Sequence, residues 1–500
     1  MAISGVGSNI TPVIQSVLDM RRRLDDLQRQ LGTGQKADIF AGLGSQSALA
    51  TGLSSQIEAI SSYNDTMTVV GTRIAIAQTA LGQISDVGSS VQSATLLPVF
   101  NLDGTGQTTE QKTATDQLDQ IVGLLNSQAG DRYIFSGTAV TSPAVETTDH
   151  ILNGNGAQAG LRQLIQERNL ADTGGPGGLG RLQIPPAAGN VVTMNEEAPP
   201  TIYGFKLNSV TSGLTGAVVA GPAGAPPTIT VNFAANPNDG DRIKFTFNLP
   251  DGTTEDLTLT ATTSANPGPG QFQIGATTGQ TAINFQAALT GAVDTLTNTA
   301  LSAASAVQAG NDFFANPPIR VNGPPFNTAT TSIAGTPANT IIWYIGENGP
   351  TPPRQTATAR IDPSITVSYG MRANEQGIAW IMQHVATLAA TKYLPTDPNA
   401  PASYSALNQR LAQAFTIPPG VQRIDDIEAS LASAQTAMQT AKDRHQTTNK
   451  TLTDMLQSIE GIDQNAVGVQ ILTLQTNLQA SLQTTAMLSN LSLVKVLGGG

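Results

Sequence analysis

Ile10, Val13, Val17, Met20, Leu24, Leu27 and Leu31 step through the start of this 500-residue chain by three and four residues in strict alternation. Near the other end Val467, Ile471, Leu474 and Leu478 do the same, and Leu482, Leu488, Leu491 and Val494 continue the apolar face less regularly. A 3-4 stripe keeps one narrow face of an α-helix turned to a partner helix, which is the seam of a coiled coil. Seams at both ends are satisfied when the ends pair with each other or with other copies of the chain. A rod or filament subunit is built this way.

Between the seams the pattern reads helices, a β-rich insert, then helices again. The first helix stops at Gly32-Thr33-Gly34, because glycine readily takes the left-handed conformation that ends a helix. A second helix is predicted from Ala48 to Leu97, with Ile57, Ile60, Met67, Val70, Ile74, Ala77, Leu81 and Ile84 on its apolar face and Pro98 closing it. A third runs from Thr109 to Ala129 and leads into Asp131-Arg132-Tyr133-Ile134-Phe135-Ser136-Gly137, a strand entering a turn.

From about Thr141 to Ala359 proline and glycine cluster and short alternating segments appear. Thr228–Phe233 alternates as a strand, and Arg242–Leu249 and Thr254–Thr260 flank an Asp-Gly turn as a hairpin. One helix, Thr281–Val293, is predicted among these strands. A strand at Ile365–Gly370 follows, then helices over Glu375–Ala390, Tyr404–Phe415 and Val421–Ile459.

Composition narrows the chemistry. Aromatics are 4 % of residues, so cores must be built mainly from Leu, Ile, Val and Ala. The net charge of −11 repels phosphate backbones and argues against nucleic acid as a partner. Arg21-Arg22-Arg23 reads as a solvated helix face followed by Asp25 and Asp26. The absence of cysteine excludes disulfides, thiolate metal sites and cysteine nucleophiles. No run approaches the roughly 18 apolar residues of a membrane span, so membrane insertion is not expected.

The search for a catalytic site yields none. Gly175, Gly177 and Gly180 satisfy G-x-G-x-x-G, but Pro176 lies inside the motif, no strand precedes it and no helix follows. His150, His384 and His445 are far apart and lack a second ligand at helical spacing, and His445, beside Arg444, reads as a solvated side chain. Asp25-Asp26 and Asp425-Asp426 sit near Arg22, Arg29 and Arg423 as surface ion pairs, and Glu196-Glu197 falls in a loop before Pro199-Pro200. The expectation is a non-enzymatic chain with no catalytic residues, no metal and no cofactor.

Three segments carry a family resemblance. Gln30-Leu31-Gly32-Thr33-Gly34-Gln35-Lys36 is similar to the Leu-Ser-Thr-Gly segment of bacterial flagellins. Asp131–Gly137 is similar to the Gly-Arg-Tyr-Ile-Phe-Ala/Ser-Gly segment of hook–filament junction proteins. Leu474–Leu482 and Leu488–Val494 match the family's Gln-Thr-x-Leu-Gln-Ala-Ser and Leu-Ser-Leu-(Val/Leu) ending. The chain resembles the bacterial flagellin superfamily over about residues 1–140 and 365–500. Ala37–Gly44 departs from the family's usual residues after the lysine, and Asp86–Gln92 lacks the arginines by which an innate immune receptor sees many flagellins.

The resemblance implies an α+β fold: a long antiparallel coiled coil or bundle from both termini, a β-hairpin layer and an inserted β-rich outer domain. It divides the chain into a tube segment (1–45), a helical rod segment (46–140), the outer insert (141–360), a second rod segment (361–460) and a second tube segment (461–500). It further implies self-association through the two stripes, with hook-associated proteins, an export chaperone and the type III export apparatus as partners. By itself Met1–Gly7, which lacks the charged start and apolar core of a secretory signal, reads as cytosolic; the resemblance instead implies export, without a cleaved signal, to an extracellular flagellum. The Asp131–Gly137 segment favours the junction protein over a filament flagellin. A secreted adhesive β-protein on a helical stalk is the reading from another class, and it calls for an aromatic groove or a carboxylate dyad within 141–360.

Overall fold

A computed structural model describes residues 10–497, with their side chains except those of residues 10, 11, 13 and 488–497. The fold is α+β. Its helices are α1 (Ile10–Thr33), α2 (Ser47–Leu96), α3 (Thr109–Leu125), α4 (Thr148–Asn153), α5 (Leu161–Thr173), α6 (Thr278–Leu296), α7 (Ser302–Phe314), α8 (Gln376–Ala390), α9 (Ala400–Ala414), α10 (Ile424–Glu460) and α11 (Gln464–Leu497). Its strands are β1 (Gln128–Ala129), β2 (Arg132–Tyr133), β3 (Leu182–Gln183), β4 (Val191–Glu196), β5 (Lys206–Ser212), β6 (Ala217–Ala223), β7 (Thr228–Phe233), β8 (Arg242–Asn248), β9 (Thr254–Thr262), β10 (Gln271–Gln273), β11 (Ile319–Val321), β12 (Ser332–Ala334), β13 (Thr358–Asp362) and β14 (Ile365–Ser368).

Two compact units result. One comprises the described residues up to Val69, Ala359–Val367 and those from Thr436 on; the other comprises Val70–Thr358 and Ser368–Gln435. In the first, α1 packs on α11. Ala50, Leu53 and Ile60 of α2 pack with Leu452 and Ile459 of α10 in a small core of their own. His445 is buried here, with Nε2 3.2 Å from the Asp362 carboxylate and Nδ1 3.3 Å from Asn64 Oδ1. The sequence reading of a solvated His445 is therefore corrected. Asp362, at the end of β13, supplies the cover that its own helix face could not reveal.

The second unit holds the larger core. The predicted face of α2 is buried here at Val70, Ile74, Ala77, Leu81 and Ile84, and Gln78 and Gln435 exchange hydrogen bonds of 3.3 and 3.0 Å. α3 begins with a capping box between Thr108 and Gln111 and packs on α8. It ends at Leu125, short of the predicted Ala129. The Asn126 side chain accepts from Ala144 N (2.8 Å) and Val145 N (3.0 Å), which draws the chain out of the helix. Gly130, at φ 69°, then turns β1 into β2.

The insert contains two four-stranded sheets, ordered β3-β4-β7-β6 and β10-β9-β8-β5, with all pairs antiparallel except β10–β9. Period-two alternation sends Ile229, Val231 and Phe233 of β7 and Ile243, Phe245 and Phe247 of β8 into one core. Phe285 of α6 packs there on Phe272 and Phe233, with ring centroids 5.1 and 5.4 Å away. The predicted hairpin is β8–β9. Asp251 Oδ1 accepts from Thr253 N (3.0 Å) at its turn, and Gly252 supplies φ 81°. Arg410 of α9 reaches this turn and pairs with Glu255 (2.9 Å).

Three helices of the insert, α4, α5 and α7, are absent from the sequence reading, and it is less purely β than expected. α5 places Glu167, Arg168 and Asp172 on buried positions, so its inner face does not read as apolar. α7 is buried nearly all round by alanines, which erases the one-sided pattern of a surface helix. Glu196 closes β4 instead of lying in a loop, accepting from Leu207 N (2.8 Å), while Glu197 pairs with Arg181 (2.8 Å).

His384 on α8 is buried against Trp380 and Phe415, and its Nδ1 donates to the Trp380 carbonyl (2.6 Å). Burial pushes its pKa down from 6.5 to about 4. Between those values the unfolded chain binds more protons than the folded one. The stability contributed by the neutral ring is thus complete above pH 6.5 and is lost as pH falls toward 4, on the order of 3 kcal/mol in all. Urea denaturation across that window is expected to show the slope in the native chain and to lose it in His384→Gln.

Candidate assembly surface

The helices α1 and α11 lie in the same unit and meet along the stripes. Val17, Met20, Leu24 and Leu27 are half-buried; on α11 Val467 and Ile471 are buried and Leu474 and Leu478 half-buried. Leu31 and Leu482, also assigned to the seam from sequence, are 41 % and 49 % exposed. The side chains of Ile10, Val13, Leu488, Leu491 and Val494 lie outside the described residues.

Past Leu478 the 3-4 rhythm of partly buried positions passes to Ser481 and Thr485. An apolar-only scan steps past them to Leu482. Thr485 satisfies its hydroxyl on its own helix, donating to Ser481 O (2.7 Å). Polar residues at seam positions lower stability and favour one register.

The glycine-rich stop after α1 is tied to the joint between α10 and α11. Gly34 takes φ 75°, and Gln35 bridges to Gly461. Lys36 N donates to Glu460 O (2.7 Å), and Ile462 N donates to Gly34 O (3.1 Å). Lys36 Nζ donates to Ile459 O (2.7 Å), placing a cation on carbonyls at the C-terminal end of α10. Asp463 caps α11 through Asn465 N (2.9 Å) and Ala466 N (3.1 Å). A Cβ at Gly34 would meet nothing within 4 Å, so the left-handed turn alone demands glycine there, at about 1–2 kcal/mol for a replacement.

A second set of apolar side chains faces outward. Ile14 and Leu18 on α1 and Val469, Leu472 and Met487 on α11 are each about half or more exposed, Leu472 at 65 %. The seam therefore accounts for only part of the apolar surface of these helices. The arginines between them make exposed pairs, Arg22–Asp19 and Arg29–Asp26 (both 2.6 Å), of little energetic weight.

The second motif is part of the other unit's core. Phe135 and Ser136 are buried, and the segment pairs with Met371-Arg372-Ala373. Gly137 N donates to Met371 O (3.0 Å) and Ala373 N to Phe135 O (2.9 Å). Gly137 takes φ 65°, a conformation L side chains rarely adopt, with Glu347 and Arg372 packed against it. The partner segment 371–373 carries no strand signature of its own.

Among the described residues no cluster of three or more His, Cys, Asp or Glu is placed to hold a metal ion. His150 pairs with Glu146 (2.8 Å). The G-x-G-x-x-G stretch is a loop with Gly175, Gly177 and Gly180 all at positive φ. No helix among the described residues is long and apolar enough to cross a membrane.

Residues 13–140 match the family described as the bacterial flagellin N-terminal helical region. The match supports membership of the bacterial flagellin superfamily. It spans nearly all of α1, then α2 and α3, and includes two of the three motifs; the third, on α11, lies beyond it. No curated protein matches the chain. Flagellins are structural proteins of an extracellular organelle, and a flagellin N-terminal region supports a structural subunit of the flagellum that self-associates.

Proposed function

We propose that this flagellin-type chain is a subunit of the hook–filament junction, polymerising through its terminal helices. The observation that carries the reading is the α1–α11 pair, apolar on the seam and again on its outer face. The polymerisation surface comprises Ile10, Val13, Val17, Met20, Leu24, Leu27 and Leu31 with Val467, Ile471, Leu474, Leu478, Leu482, Leu488, Leu491 and Val494. Within it the partly buried residues join the two ends of one chain. Leu31 and Leu482, together with Ile14, Leu18, Val469 and Leu472, meet neighbouring subunits. The subunits next to it are flagellins and hook-associated proteins, reached after type III export with a chaperone. Residues 1–45 and 461–500 form the tube, 46–140 and 361–460 the rod, and 141–360 the outer region.

The Asp131–Gly137 segment, built into the core with 371–373, favours the junction role over a filament flagellin. Electron microscopy of a deletion strain separates them. Hooks without filaments, with flagellin shed into the medium, are expected; shortened or altered filaments would transfer the protein to the filament.

A further inference from the structure

A cavity of about 470 Å³ opens in the second unit between α5, α7, α9 and the segment after α8. Its volume is in the range of small-molecule sites. One wall is the face of α5 that carries Arg162 and Asn169; Asn169 Nδ2 donates to Ser302 Oγ (2.6 Å), Asn298 Nδ2 donates to the Asp294 carbonyl (2.9 Å), and Lys392 and Tyr393 close the side. Asn298 lies in the π-helical turn Thr297–Leu301, and such turns concentrate at functional sites.

The decisive feature is Arg162. Its Nη1 donates to Asn153 Oδ1 and its Nη2 to Ala389 O (3.5 Å), while Nε is buried with no hydrogen-bond partner. Among the described residues no ion pair balances this guanidinium, and Asp149 acts on it only through space. Arg168, Arg181, Arg320, Arg354, Arg372 and Arg410, by contrast, all pair with carboxylates. Lys392 adds a second cation at the rim, against the single carboxylate of Asp397. Amides and hydroxyls supply both donors and acceptors around these charges, and Ala303 and Ala306 form an apolar floor.

We propose that this cavity binds an acidic monosaccharide, with the sugar carboxylate on Arg162 and Lys392 and the ring hydroxyls donating to Asn169 Oδ1, Asn298 Oδ1 and Ser302 Oγ. The carboxylate takes the remaining N–H groups of the two Arg162 Nη atoms and supplies the counter-charge this guanidinium lacks, as no neutral group can. The binding is independent of assembly through the terminal helices. Titration calorimetry on the full chain with D-galacturonate, and with D-galactose as the neutral probe, tests it. Galacturonate is expected to bind about tenfold or more tighter than galactose, and Arg162→Gln to erase that preference. Lys392→Gln, at an exposed position that leaves the fold untouched, is expected to weaken galacturonate severalfold and leave galactose unchanged. Equal affinity for the two sugars, no galacturonate heat at about 10 mM, or native affinity in both variants would overturn the assignment.

Discussion

Leu472→Asp is expected to leave the free subunit folded and to abolish its incorporation into an assembled flagellar structure. Leu472 is 65 % exposed on α11, away from the α1 seam, so the free chain loses little. Surface substitutions of this kind stay within about 0.5 kcal/mol. On the proposed assembly surface the same position is buried against a neighbour. There the lost leucine removes about 1.5–3 kcal/mol of apolar burial, and an unpaired carboxylate adds a desolvation cost of several kcal/mol. Repeated at every subunit contact, that sum stops growth. Thermal melting of the monomer should coincide with the native curve, while pelleting of polymer and swimming should both be lost. Leu478→Asp makes the useful contrast: it lies half-buried in the seam, so it should loosen the α1–α11 pair in the monomer as well as block assembly.

The largest single loss of stability is expected from Arg168→Met, in the other unit. Arg168 bridges Asp172 (2.7 Å) and Asp312 (2.8 Å), and its guanidinium lies 5.0 Å from the centroid of the Tyr203 ring. Asp172 has no exposed side-chain surface and also accepts from Gly204 N (2.9 Å). Removing the cation strands two carboxylates beside each other in the core, where burial already pushes the Asp312 carboxyl up. Breaking a buried pair in this way costs about 3–5 kcal/mol. Denaturant unfolding monitored through the insert should show that drop. The α1–α11 pair should keep its helicity, because none of its residues touches this network.

How much of this is visible without coordinates follows from where periodicity survives. The seams, the α2 face, the β7 alternation and the Asp-Gly hairpin read directly, because each buries one face and exposes the other. α5 and α7 do not: one buries charges that find partners far along the chain, such as Arg168 with Asp312, and the other is buried on all sides. His445 looked solvated because Asp362, its cover, is 83 residues away. On the proposed assembly surface Val17, Met20, Leu24, Leu27, Val467, Ile471, Leu474 and Leu478 are legible as a seam, but the outward set of Val469 and Leu472 is not. Only the placement of α1 against α11 tells which apolar residues remain free. Ser481 and Thr485 escaped because an apolar pattern cannot count polar residues.

Assembly through the terminal helices is tested most directly by hydrogen exchange on the monomer and on the polymer. The described seam of α1 consists of half-buried side chains along one narrow stripe, and a lone helix pair of this kind is marginal in water. Residues 14–33 and 464–487 are expected to exchange rapidly in the free subunit and to become strongly protected on assembly, with the insert unchanged throughout. Strong protection of both segments in the monomer, or no gain on polymerisation, would contradict it.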